Sequence, residues 1–128
     1  MTTINSLLGP LNTADLGFTL SHEHIITSSA GFRYTYPELL NVEHVETLAV
    51  RLLVQAKKEG VNTIIDCTPM DLDRNVHLMA AVSKGSQVNI ICSTGSHLYV
   101  PHDFYQTMFG WMQQMSADRI ASLWVREI

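Results

Sequence analysis

Apolar residues fall into two alternating kinds of run along this chain, short β-branched stretches and longer stretches with helical spacing. After an opening segment with the turn signal Gly9-Pro10, residues 16–24 predict a strand with Phe18, Leu20, His22 and His24 on one side and a polar far end. Asn41 is a candidate N-cap. From there Val42, Val45, Leu48, Ala49, Leu52, Leu53 and Ala56 recur at helical spacing until Gly60, which suits a C′ position. Residues 61–68 (VNTIIDCT) are nearly continuously apolar and β-branched, the pattern of a parallel strand buried on both faces. Residues 75–84, with Val76, Met79, Ala80 and Val82, predict a second helix that Gly85 stops. Residues 87–94 (QVNIICST) read as the next buried strand, closed by Gly95. A loop over 96–103 then leads into helical patterns over 104–115 and from Ser116, another candidate N-cap, onward.

The order is strand, long connection with a helix, strand, helix, strand, helix. Its repeat length suits right-handed βαβ crossovers between parallel strands. An open α/β sheet and a (β/α)₈ barrel both fit, and periodicity does not choose between them. No low-complexity stretch or Ser/Gly-rich linker interrupts the pattern, so residues 1–128 read as one piece of a single domain.

Composition narrows the function classes. With 128 residues, 46% hydrophobic and 16% charged, the chain can bury a core. Its formal net charge is −4 and its basic residues are scattered, which argues against nucleic acid as a partner. Its apolar runs break far short of the roughly 20 residues a membrane span needs. Residues 1–6 lack the basic and apolar regions of a secretory signal, so the cytoplasm is the expected compartment. Cys67 and Cys92 occupy the same relative place in two strands without C-x-x-C spacing, and are expected to be reduced, buried thiols.

The candidate chemistry sits at strand ends. In His22-Glu23-His24 the two imidazoles are i and i+2 on a strand, project to the same face and can be offered to one metal ion. H-x-H is weak by itself. It gains weight because parallel α/β folds place their chemistry at the carboxyl ends of strands. Asp66 ends the second strand in apolar surroundings and needs something to offset its desolvation. It is a candidate for orienting a metal ligand from behind, with Arg74 as its candidate partner. The other charges of residues 71–75 are expected to form a solvated turn, with Asn75 as N-cap. His97 and Tyr99, just beyond the third strand, are candidate substrate-loop residues, whereas His44, His77 and His102 lie away from strand ends.

Residues 16–25 (LGFTLSHEHI), 60–75 (GVNTIIDCTPMDLDRN) and 88–95 (VNIICSTG) resemble, in order and spacing, successive strand-end motifs of the phosphotriesterase family within the amidohydrolase superfamily. The resemblance covers nearly the whole chain from Gly9 onward. It implies a (β/α)₈ TIM barrel and a binuclear centre of two divalent metal ions, usually zinc, with His22 and His24 matching the two first-strand ligands. The family's remaining ligands, a carboxylated lysine, two further histidines and an aspartate, come from later strands. What it implies chemically is a metal-dependent hydrolase in which a metal-bound hydroxide attacks an ester bond, in an organophosphate triester or a lactone. Small-molecule esters, lactones or organophosphates are then the substrates, and a homodimer is a candidate assembly. The chain departs from the family pattern at Asp73, where a glycine commonly precedes the arginine, and in the loop Ser96-His97-Leu98-Tyr99.

A barrel of this kind needs about 250 residues, and three strand-helix units fit here. The third strand would leave an open edge. The chain is therefore expected to be the N-terminal part of a longer product, inactive as it stands. A non-catalytic metal-binding or assembly module, a half-barrel completed by another chain, is the alternative from a different class. A lysine ending a fourth strand downstream would favour the enzyme.

Overall fold

The structure, a computed structural model, describes residues 2–96 and 115–126. The chain opens with two short strands, β1 (Thr3–Ser6) and β2 (Gly9–Asn12), paired antiparallel as a hairpin. Gly9, at φ +117°, begins the returning strand. The hydrophobic pattern hid both arms because each is four residues long and β1 is mostly exposed.

After a 3₁₀ turn over Thr13–Asp15, the strands β3 (Phe18–Glu23), β4 (Val61–Asp66) and β5 (Asn89–Cys92) form a parallel sheet in the order β3-β4-β5. Helix α1 (Phe32–Thr35) is a single turn, α2 (Val42–Lys58) and α3 (Val76–Ser86) are the two crossovers, and α4 (Ala117–Val125) follows the third strand. This is the strand-helix alternation that the sequence pattern predicts. The expected caps are present: Asn41, Asn75 and Ser116 each accept a hydrogen bond from the amide three residues on, at 2.9, 3.1 and 3.3 Å. Residues 104–114 of the expected helical stretch lie outside the described residues.

Gly85 does not stop a helix. It lies inside α3, which ends one residue later, and Gln87 takes the left-handed turn at φ +60°. A Cβ at position 85 would stand 2.9 Å from Cγ2 of Val50, so the glycine allows α2 and α3 to approach closely. The two helices share an apolar layer with the sheet, built from Ala49, Val61, Ile64, Leu78, Val82, Val88 and Ile90.

Two register irregularities interrupt the β3–β4 ladder. Between Leu20 and Glu23, three steps along β3 match two along β4 (Ile64 to Asp66), which is a bulge. Strict alternation is therefore lost, and the expected single face of Phe18, Leu20, His22 and His24 is not kept. Phe18 is 64% exposed, Leu20 packs against the apolar layer, and His22 and His24 line a cleft at the end of the strand. An apolar groove of about 250 Å³ lies between the β3–β4 sheet and α2, lined partly by Leu20, His24, Ile25, Leu48, Leu52 and Ile64. Leu52 there is 58% exposed.

Candidate metal centre

His22 lies on β3 and His24 directly follows it, at the carboxyl end of the sheet. Their rings meet edge to face with centroids 5.2 Å apart, and the two Nε2 atoms are separated by 3.2 Å. Zn–N bonds of about 2.0–2.1 Å at a tetrahedral angle place two imidazole nitrogens about 3.3 Å apart. The pair thus has the bite of one tetrahedral cation. Both rings line a cleft of about 360 Å³ with Cys67, Pro69, Leu72, Ser93, Thr94 and Ser96. Among the described residues no group of three or more His, Cys, Asp or Glu side chains comes together as a metal cage. Among the described residues the pair offers two nitrogen donors, half of a tetrahedral set.

Asp66 ends β4 with none of its surface exposed. Its Oδ2 accepts the Ile25 amide at 2.8 Å, and its Oδ1 accepts the Thr68 amide at 2.9 Å. The carboxylate thereby holds both the residue that follows His24 and the segment leaving β4, and two charge-assisted bonds offset its burial. A third strut, the Cys67 amide donating to the Glu23 carbonyl at 2.9 Å, extends the ladder past the strand end.

Thr68, which pattern reading passed over, completes the arrangement. Its side chain is fully buried, and its Oγ1 lies 2.9 Å from Nδ1 of His24. A Thr two residues past a strand-end carboxylate carries no signal by itself. Only the pairing of β3 with β4 brings it behind the histidine.

Arg74, the candidate partner of Asp66, donates from Nη1 to the Ser93 carbonyl at 2.7 Å and so ties the turn after β4 to the end of β5. Its charge and that of Asp66 both reach the Cys92 thiol. Burial chiefly, and then Asp66, push that thiol up to about 11, while Arg74 works in the other direction. Cys67 and Cys92 are free and half-buried rather than fully enclosed.

The turn at 71–75 is not solvated as the sequence suggested. Asp71 and Asp73 are buried, and Asp73 adopts φ +63°, the left-handed conformation that suits a glycine. In exchange its Oδ2 accepts Ser28 Oγ at 3.0 Å and lies 3.4 Å from Arg33 Nη1. The same guanidinium donates to the Asp73 carbonyl at 3.3 Å, and the Ser28 amide to the Leu72 carbonyl at 3.2 Å. The loop after β3 is thereby latched to the loop after β4. His97 and Tyr99 lie outside the described residues; His44 and His77 sit on α2 and α3, away from the cleft.

Residues 2–128 match the model of the phosphotriesterase family. The chain is 34% identical to an aryldialkylphosphatase of Saccharolobus solfataricus, over 92% of this chain and 36% of that protein. It is equally 34% identical to a phosphotriesterase homology protein of Mycobacterium tuberculosis, over 100% of this chain and 40% of the relative. An N-acetyltaurine hydrolase of Tetraodon nigroviridis is 24% identical over 98% of this chain and 42% of its own length. The chain thus spans about two-fifths of the length of the relatives it matches.

Proposed function

The chain belongs to the phosphotriesterase family, whose fold is a (β/α)₈ barrel, and from that premise we propose that residues 1–128 form the first three strand-helix units of a single such barrel in a metal-dependent hydrolase. His22 and His24 hold a divalent metal ion through their Nε2 atoms, with zinc the best match to the donor set. The observation that carries this reading is the 3.2 Å separation of the two Nε2 atoms, close to what one tetrahedral ion requires. The metals, when bound, supply a hydroxide nucleophile at neutral pH and polarise the oxygen under attack. The chain's own residues prepare that chemistry. Asp66 and Thr68 hold the first-strand ligand from behind, and Arg74 joins the turn that carries Thr68's neighbours to the end of β5. The cleft between these strand ends admits a small substrate, and His97 and Tyr99 are proposed to contact it from the loop beyond β5.

The bond class is proposed as an ester, in a phosphotriester or a lactone. The aryldialkylphosphatase relative supports the first. The name of the N-acetyltaurine hydrolase extends the range of bonds met among relatives to an amide. Among the described strands β3 is an edge of the sheet, which supports the placement as the first part of a barrel, since a closing strand would pair with it. Among the described residues no helix is long and apolar enough to cross a membrane. A cytoplasmic, dimeric protein is proposed.

The test uses the full translated product of the gene, loaded with zinc or cobalt, on a chromogenic phosphotriester, a lactone and an N-acyl amide. Turnover of at least one, lost in the His22→Ala/His24→Ala double variant, is expected. The 128-residue chain alone is expected to show none, because a catalytic zinc ordinarily needs three protein ligands plus water. Metal uptake without turnover of any substrate would favour the non-catalytic module instead. Unimpaired turnover by the double variant would remove the two histidines from the centre.

A further inference from the structure

We propose that Thr68 is a positioning residue that selects the tautomer of His24, its hydroxyl accepting the Nδ1–H so that the Nε2 lone pair is the one turned toward His22. The inference rests on the metal-centre reading and assigns the group that makes His24 competent for it. A neutral imidazole carries one proton, and the hydrogen bond made by one ring nitrogen decides which nitrogen holds it. If Thr68 donated to Nδ1, the proton would sit on Nε2 of His24, in the 3.2 Å gap that faces His22 Nε2. That proton would occupy the space where a cation has to stand.

The main chain of Thr68 is held in place on both sides. Its amide is fixed on Asp66 Oδ1, and its carbonyl accepts Ser93 Oγ at 3.4 Å. Asp66 Oδ2 in turn fixes the Ile25 amide, one peptide beyond His24. The path His24, Ile25, Asp66, Thr68 and back to His24 Nδ1 is a closed ring of covalent and hydrogen bonds, with Asp66 and Thr68 fully buried. These bonds fix the backbone of Thr68 opposite Nδ1, and the direction of the hydroxyl bond follows from the lone pair that His24 must present at Nε2. Both oxygens of the carboxylate are engaged on backbone amides, those of Ile25 and Thr68.

The experiment combines two readouts on the full translated product, comparing wild type with Thr68→Val and Thr68→Ser. Valine keeps the shape and removes the acceptor; serine restores it. In metal-free protein with ring-¹⁵N-labelled histidine, the His24 resonances, assigned with His24→Ala, are expected to show Nδ1–H in wild type and T68S and to move toward Nε2–H in T68V. Cobalt affinity is expected to fall about 10- to 100-fold in T68V, the range seen when such supporting partners are lost, and to recover in T68S. A T68V protein with a lowered unfolding midpoint but unchanged ring resonances and cobalt affinity would overturn the proposal and leave Thr68 a packing residue. If wild type takes up no cobalt, the metal-centre reading fails. The ring resonances of the metal-free proteins then still decide whether Thr68 sets the tautomer.

Discussion

Replacing Asp66 by alanine removes the acceptor of two backbone amides at once. Ile25 N and Thr68 N donate to its two oxygens at 2.8 and 2.9 Å, and the residue has no exposed surface. Leaving a buried donor unpaired costs roughly 1–3 kcal/mol, so the two together predict a loss of about 2–6 kcal/mol. The lower half of that range applies if water reaches Ile25, whose bond is only partly buried. Even the lower half is a large share of the roughly 5–15 kcal/mol that holds a typical domain folded. Asp66→Asn keeps the shape and one acceptor oxygen, and should lose about half as much. Urea unfolding of the full gene product, followed by circular dichroism, reads this directly: with a slope of about 1–3 kcal/mol per molar, Asp66→Ala should move the midpoint down by at least about 0.7 M, with Asp66→Asn between it and wild type. Removing the charge should also make the Cys92 thiol easier to ionise, because Asp66 is one of the groups raising it. Alanine and wild-type midpoints within about 0.3 M of each other would refute the claim that this carboxylate holds the strand ends together.

Other residues give independent checks. Gly85→Ala puts a Cβ 2.9 Å from Val50 Cγ2, an overpacking cost of about 1–3 kcal/mol set against a gain of up to about 1 kcal/mol in helix propensity; the same change in a Val50→Ala background should be neutral or stabilising, and equal effects in both backgrounds would show that the helices are not in close contact there. Asp73→Gly relieves the left-handed backbone while cutting the Ser28 and Arg33 latch, whereas Asp73→Ala loses the latch and keeps the strain, so alanine should be the less stable of the two by about 1 kcal/mol; the reverse order in thermal unfolding would rule out the conformational argument. Cys92, pushed up to about 11 from an ordinary 9.0, stays protonated when folded while the unfolded chain ionises. Its contribution is therefore fully present below pH 9 and is lost as pH rises toward 11. Urea midpoints at pH 8 and 10.5 should fall more steeply for wild type than for Cys92→Ala, and parallel curves would show that the thiol is not shifted.

The repeating part of the fold was legible because its signals are local and redundant. Asn41, the apolar stripe to Ala56 and Gly60 all point to the same helix, and the β-branched run after Val61 has no other comfortable conformation. Gly85 was misread because a helical glycine that accommodates Val50 and a helix-ending glycine look alike in one dimension. The i, i+2 spacing singled out His22 and His24, yet strict alternation with Leu20 is broken by the bulge opposite Ile64 and Asp66, and bulges leave no mark in this sequence. Thr68 and the Ser28–Arg33–Asp73 latch were invisible for a related reason. Each joins residues 40 or more positions apart, and their roles arise only once β3 lies beside β4.

Zinc-edge anomalous diffraction from crystals of the metal-loaded full gene product tests the central claim most directly. The account predicts a peak about 2.0–2.1 Å from Nε2 of both His22 and His24, with Thr68 still on the Nδ1 side of His24. A zinc peak elsewhere, or ligation through Nδ1 of either ring, would contradict it.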